Sequence, residues 1–185
     1  MVTKSIDAGQ SFSFRSRTAS FSLTAKAPGV YGEITAGGDR GLYTLDVPGG
    51  RDVPPFRVTF PMQELVWTNE LAASTVTRAE GLTITWSAPN ASQVLVTLDS
   101  NIMIPAASQR VVCSARAADG QITIPASVLS RFPASPLFAA GTANPNRMPG
   151  SIKVNGLTYY RAKPPGLDAF DVVVLSGPTR FVVFR

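Results

Sequence analysis

Alternating apolar and polar residues recur along the whole chain. In Gly81–Asn90, which reads GLTITWSAPN, Leu82, Ile84 and Trp86 alternate with threonines before a proline-containing turn. This period of two is typical of a β-strand with one buried face. The same alternation occurs in SFSFR, ASFSLTAK, LYTLDV, FRVTF, ELVW, VLVTL, RVVCSA, QITI, SIKVNGLTYY, DVVVLS and RFVVF. Clusters of glycine, proline, asparagine and aspartate separate these segments and indicate turns.

A helical pattern occurs in one segment only. After QITIP, the residues ASVLSRF place Val128, Leu129 and Phe132 at positions i, i+1 and i+4, and Pro133 ends the pattern. Pro125 suits the first turn of a helix. We therefore predict one short helix near 126–132.

Many short strands with one short helix favour an all-β protein, specifically an immunoglobulin-like or Greek-key β-sandwich. We expect a single all-β unit over residues 1–185. A second interpretation places a sub-boundary near 61–64, which would divide the chain into 1–62 and 63–185.

Composition supports this fold class and limits the partners. The 185 residues include 15 glycines and 15 prolines, and 16% of residues are charged, which fits short strands joined by frequent turns. The net charge is +5, but the arginines are scattered, so we expect no specific nucleic-acid binding. No apolar run approaches the ~20 residues that span a bilayer. The first residues, MVTKSIDAGQ, contain no apolar leader segment.

Arg15 and Arg17 form a local concentration of charge in SFSFRSR. The simplest interpretation is that they share a strand face and keep a sheet edge from pairing with another chain. The alternative is a patch that attracts an anionic ligand.

The chain lacks several residue types on which common reactions depend. It contains no histidine, which excludes a Ser-His-Asp triad and an imidazole zinc site. Cys113 is the only cysteine, so we expect no intrachain disulfide. Because free cysteines are usually buried, we expect Cys113 to be a small apolar residue of the core. We predict no catalytic residue, no metal and no cofactor.

The carboxylates give no clear catalytic pair. Asp39, Asp52, Asp99 and Asp119 lie in segments that resemble turns, where aspartate usually bonds to its own backbone. Asp168 and Asp171 could supply oxygen ligands to calcium, but the DxDxDG spacing is absent.

The best candidate binding segment is YYRAK. Adjacent strand residues point to opposite faces, so either Tyr159 or Tyr160 leaves the core. With Arg161 and Lys163 nearby, we predict that Tyr160, Arg161 and Lys163 bind a carbohydrate or protein partner, between an NGL turn and a PPG turn. The alternative is a tyrosine hydroxyl that simply reaches water at a sheet rim. Trp67 and Trp86 share strand faces with apolar residues, and we assign both to the core.

Five segments, taken in order, carry a family resemblance. These are GLYTLDVPGGRDVPPFRVTF, LVWTN, TVTRAEGLTITWSAPN, VVCSARAADGQITIPASVLSRFP and GLDAFDVVVLSG. Together they resemble an uncharacterised β-rich region near the C-terminus of secreted soil-bacterial proteins, and the resemblance covers roughly residues 41–176. It implies an extracytoplasmic, immunoglobulin-like module and no particular activity. The chain departs from that pattern at Ala88-Pro89 and in the loop ANPNRMPG.

Three functions fit these features. We favour a non-enzymatic, extracytoplasmic β-sandwich module for binding, adhesion or surface assembly. The second is a hydrolase that acts on polysaccharide through an unidentified carboxylate pair. The third is a structural subunit that assembles by strand addition at an open sheet edge.

Overall fold

The computed structural model of this protein describes residues 5–31, 40–62, 65–102, 107–135 and 150–185. These residues are mainly β-strands, so the all-β prediction is confirmed. In chain order, the strands are β1 Ser11–Arg15, β2 Ser20–Thr24, β3 Gly41–Val47, β4 Phe56–Met62, β5 Val66–Trp67, β6 Thr75–Val76, β7 Leu82–Ser87, β8 Gln93–Ile102, β9 Ala107–Arg116, β10 Gln121–Ile124, β11 Gly150–Ala162, β12 Phe170–Ser176 and β13 Thr179–Phe184.

The short helix expected near 126–132 is confirmed as α1, Ala126–Leu129. The carbonyl of Pro125 accepts hydrogen bonds from the N–H groups of Val128 and Leu129 at 2.9 and 3.2 Å. Two 3-10 helices, Glu70–Ser74 and Ala117–Asp119, were not expected from the sequence.

The chain divides into two compact units. The first comprises Met1–Gln63 and Tyr159–Val173, and the second comprises Glu64–Thr158 and Val174–Arg185. The first division lies beside the break that the sequence indicates near 61–64. Residues 159–173 also belong to the first unit, although they are far from residues 1–63 in the chain. A single boundary along the sequence therefore does not describe the division.

The first unit is built on a four-stranded antiparallel sheet with the order β2-β1-β3-β4. Its inner face is apolar because the inward positions of all four strands are mainly aromatic or aliphatic. Tyr43 and Phe60 are fully or almost fully buried, and their ring centroids lie 6.2 Å apart. The segment 159–173 adds Tyr160, whose ring lies 5.5 Å from that of Phe60, and Phe170, whose ring lies 5.0 Å from that of Phe56.

The second unit contains two sheets around one apolar core. A three-stranded sheet has the order β10-β7-β5, and a larger sheet has the order β6-β13-β11-β8-β9. Ile84 and Trp86 of β7 belong to the same buried cluster as Val96 of β8 and Val154 of β11. The core assignment of Trp67 and Trp86 is confirmed, with 4% and 6% of their surfaces exposed. The immunoglobulin-like or Greek-key arrangement stays a prediction.

Two segments that resemble turns in the sequence lie inside strands. Asp99 is part of β8, opposite Arg110 of β9, and Asn155-Gly156 lies within β11 and is buried. In both places, pairing with a neighbouring strand outweighs the local turn preference of these residues. The PPG turn is confirmed: the N–H of Leu167 donates to the carbonyl of Pro164, and Gly166 has φ +80°. Asp39 and the ANPNRMPG loop lie outside the described residues.

Candidate functional site

The outer face of the β2-β1-β3-β4 sheet is largely polar. Strands β1 and β2 read SFSFR and SFSLT, so their apolar residues share one face and their serine, threonine and arginine residues share the other. The strand register arranges the outer residues in two rows across the sheet: Ser22, Ser13, Asp46 and Arg57 in one, and Ser20, Arg15, Thr44 and Thr59 in the next.

Two arginines on this face share one aspartate. Nη2 of Arg15 donates to Oδ2 of Asp46, and Nε of Arg57 donates to Oδ1 of the same carboxylate. The hydrogen bond from Arg15, followed by that from Arg57, lowers the pKa of Asp46 below its usual value. Because one carboxylate faces two guanidiniums, the cluster carries an excess of positive charge.

The cluster lines a shallow groove of about 490 Å³. Ser11 and Ser13 contribute hydroxyls to the groove, and Pro48 and Pro55 contribute apolar surface. A groove with charged groups, hydroxyls and a small apolar wall suits a polar ligand that also has a hydrocarbon face.

The arrangement differs from the one expected for Arg15 and Arg17. Arg17 lies beyond the end of β1, in a turn closed by a 2.8 Å hydrogen bond from the N–H of Ser16 to the carbonyl of Ala19. The arginine that joins Arg15 is Arg57, which comes from a strand that is not adjacent in sequence. The sequence signal was the alternation in LYTLDV and FRVTF, which puts Asp46 and Arg57 on outward positions but does not specify their register.

The predicted binding segment lies in the first unit, and its three residues have different surroundings. Tyr160 is half-buried, with its ring against Phe60, and the exposed member of the tyrosine pair is Tyr159, at 56%. Arg161 donates two hydrogen bonds, at 2.8 and 2.9 Å, to the carboxylate of Asp171. Lys163 is exposed. Ligand binding by Tyr160, Arg161 and Lys163 stays a prediction.

The Arg161–Asp171 pair also bears on the calcium hypothesis. The hydrogen bond from Arg161 lowers the pKa of Asp171, and the same interaction raises the pKa of Arg161. The carboxylate of Asp171 is already neutralised by the guanidinium of Arg161, so a calcium ion would have to displace that arginine. Among the described residues, no group of three or more histidine, cysteine, aspartate or glutamate side chains is placed to hold a metal ion.

Arginine pairing is the common role of the carboxylates in the described segments. In addition to Asp46 and Asp171, the ion pairs are Arg51–Asp52, Arg110–Asp99, Arg116–Asp119 and Arg180–Glu70. A glycosidase acid needs a carboxyl with a raised pKa, whereas pairing with arginine lowers the pKa of Asp46 and of Asp171.

Cys113 is half-buried and packs against the core of the second unit. Burial raises the pKa of its thiol. A raised pKa reduces the thiolate fraction at neutral pH, which is the opposite of what a nucleophilic cysteine requires.

No family model matches the chain, and no curated protein or solved structure matches it either. Within the ranges that the structure describes, there is no helix with the length and apolar character needed to cross a membrane.

Proposed function

We propose that this protein is a non-enzymatic, extracytoplasmic β-sandwich module that binds an acidic carbohydrate through the outer face of its β2-β1-β3-β4 sheet. Binding of this kind would serve adhesion or surface assembly. The observation that carries the proposal is the cluster of Arg15, Asp46 and Arg57 in the groove of that face.

The cluster suits a carboxylate-bearing or sulfate-bearing ligand. A guanidinium has five N–H donors, and each arginine uses only part of this set on Asp46. The two side chains are exposed to 56% and 66%, so the remaining donors are accessible from the groove. Asp46 holds both guanidiniums in place before a ligand arrives, which reduces the entropy lost on binding.

The surroundings of the cluster suit a sugar. Hydroxyls of Ser11 and Ser13 can exchange hydrogen bonds with sugar hydroxyls, and Pro48 and Pro55 present apolar surface to the C–H face of a ring. The net charge of +5 favours the approach of a polyanion. The extracytoplasmic location is supported by the resemblance over residues 41–176.

The hydrolase alternative is less well supported. Its general acid would need a protonated carboxyl near neutral pH, and the carboxylate in the groove is held ionised by two arginines. A release of reducing ends from any polysaccharide that the protein binds would restore this alternative.

Affinity electrophoresis in gels that contain polygalacturonate or neutral dextran tests the proposal. We expect polygalacturonate, but not dextran, to retard the protein. The double variant Arg15→Gln/Arg57→Gln should bind polygalacturonate at least about tenfold more weakly, because charge-assisted hydrogen bonds contribute roughly 1.5–3 kcal/mol each.

The matched control is Arg110→Gln/Arg116→Gln, which removes the same charge from exposed arginines of the second unit. The proposal requires this control to retain most of the affinity. Equal losses in both double variants would indicate attraction to net charge alone, and no retardation of the wild type would overturn the proposal. A selective loss in Lys163→Gln would place the site at the YYRAK segment instead.

A further inference from the structure

Within the described residues, strand β2 is an edge strand without the usual protection against pairing. Among the described strands, it pairs only with β1. Its sequence, SFSLT, contains no charge, proline or glycine, and Ser20, Ser22 and Thr24 are exposed. The opposite edge of the same sheet, β4, contains Arg57 and Pro61. Charged residues and prolines on edges prevent strand addition, so β2 is open to it where β4 is not.

The backbone groups of β2 that face away from β1 can be assigned from the hairpin. The N–H of Ser16 donates to Ala19 at one end, and the N–H of Ala25 donates to Gln10 at the other. Hydrogen-bonded pairs alternate along an antiparallel ladder, so Phe21 and Leu23 direct their N–H and C=O groups towards β1. The N–H and C=O groups of the alternate residues, Ser20, Ser22 and Thr24, point outward.

We infer that this edge pairs with β2 of a second copy of the chain, antiparallel and centred on Ser22. In this register, Ser22 lies opposite Ser22 of the second copy, and Ser20 lies opposite Thr24. Each outward donor of one copy then meets an outward acceptor of the other, and the two sheets join into one.

The strand is complementary to itself in this register. Phe21 lies beside Leu23 of the second copy on the inner face, while hydroxyls meet hydroxyls on the outer face. Beyond Thr24 the N–H of Lys26 donates to the carbonyl of Val30 in the same chain, so the pairing is confined to Ser20–Thr24, which carries no charge. A slip by one residue would put the apolar side chains on the polar face. This complementarity selects a second copy over an unrelated strand.

The pairing is isologous, so it closes at two chains. It therefore differs from the polymer that a subunit assembling by strand addition would form. The paired strand is short, so the equilibrium between monomer and dimer is expected to depend on concentration.

Disulfide trapping tests the register. In a Cys113→Ser background, Ser22→Cys should form a covalent dimer under mild oxidation, because hydrogen-bonded partners have Cα atoms about 5.5 Å apart, within the range of disulfides. Ser20→Cys and Thr24→Cys should each form no covalent dimer alone but should cross-link when mixed, because the two positions lie opposite each other in this register. Thr59→Cys, on the opposite edge strand and also exposed, is the matched control.

Sedimentation velocity over a series of concentrations supplies an independent readout. The wild-type mass should rise from 19.6 kDa towards that of the dimer. Ser22→Pro removes an N–H that points away from β1, so it should abolish association while the circular dichroism spectrum is retained. If Ser22→Pro does not fold, the disulfide experiment decides. A monomeric wild type, cross-linking no greater than in Thr59→Cys, or species larger than a dimer would overturn the inference.

Discussion

The sequence predicts that the ring of Trp86 is buried, but it does not predict the hydrogen bond that its indole N–H makes. The alternation in GLTITW places its ring on the inner face of β7, because a period of two fixes which side chains share a face. Its indole N–H donates to the carbonyl of Ala117 at 2.9 Å, across 31 positions in the chain. That acceptor depends on how β7 meets the segment after β9, which no local pattern specifies. For the same reason the sequence did not predict the cluster of Arg15, Asp46 and Arg57, which depends on the pairing of three strands.

Replacing Trp86 by alanine should destabilise the protein by roughly 3–5 kcal/mol, because it empties a buried position and leaves the Ala117 carbonyl without its donor. Urea unfolding measures the effect. Leu71→Ala, at a position 79% exposed, serves as the control and should change the midpoint little. Coincident midpoints for Trp86→Ala and the wild type would contradict the inward placement of this ring.

At the scale of elements, the WTN sequence that begins at the last residue of β5 links β5 to β7 through side-chain hydrogen bonds. Oδ1 of Asn69 accepts hydrogen bonds from Nε1 of Trp67 and from the N–H of Thr85, at 2.8 and 3.0 Å. Its Nδ2 donates to the carbonyl of Thr83 at 2.8 Å, and the hydroxyls of Thr68 and Thr85 lie 2.6 Å apart. One side chain thereby joins the short strand β5 to β7. The sequence predicts both strands, but the hydrogen bonds that join them follow from a register that it does not reveal.

Asn69→Ala should lower the free energy of unfolding by about 2 kcal/mol, because it removes three hydrogen bonds of roughly 1 kcal/mol each and leaves part of their partners to water. Asn69→Asp should recover part of this loss, since it keeps the two acceptor bonds but not the donor. Gln121→Ala, at an exposed position of the same sheet, is the control for chemical denaturation. Equal stability of Asn69→Ala and the control would show that the hydrogen bonds of Asn69 do not stabilise the pairing of β5 with β7.

At the scale of the whole molecule, arginine pairs with most of the described carboxylates and sets how the protein responds to acid. The 17 basic residues outnumber the 12 acidic ones, so protonation of carboxylates increases an existing excess of positive charge. At Asp46 it leaves Arg15 and Arg57 without the charge that they share. Most of these ion pairs are exposed, and exposed pairs contribute little individually at neutral pH. Composition predicted the charge excess, whereas the pairing partners depend on strand order and were not predictable.

Stability should fall as the pH drops below the ordinary aspartate pKa of 3.8 and through the lower values of folded Asp46 and Asp171. A lowered pKa means that the unfolded chain binds more protons in this window, so acid favours unfolding, and the contribution is fully present above it. Urea unfolding from neutral pH to about pH 2 should show a weaker pH dependence for Asp46→Asn/Asp171→Asn than for the wild type. High salt should reduce the difference between the two proteins. Parallel pH profiles at low salt would rule out this role.

The late return of residues 159–173 to the first unit has a consequence for synthesis. Strands β1 to β4 leave the ribosome before the second unit, but the rings that pack against Phe60 and Phe56 belong to Tyr160 and Phe170, which follow most of the second unit. While most of the second unit is synthesised, the rings of Phe56 and Phe60 therefore lack these packing partners. Strands β1 to β4 are therefore made before most of the second unit but complete their packing after it, and a chain interrupted before Tyr159 would expose that surface to aggregation or to chaperones.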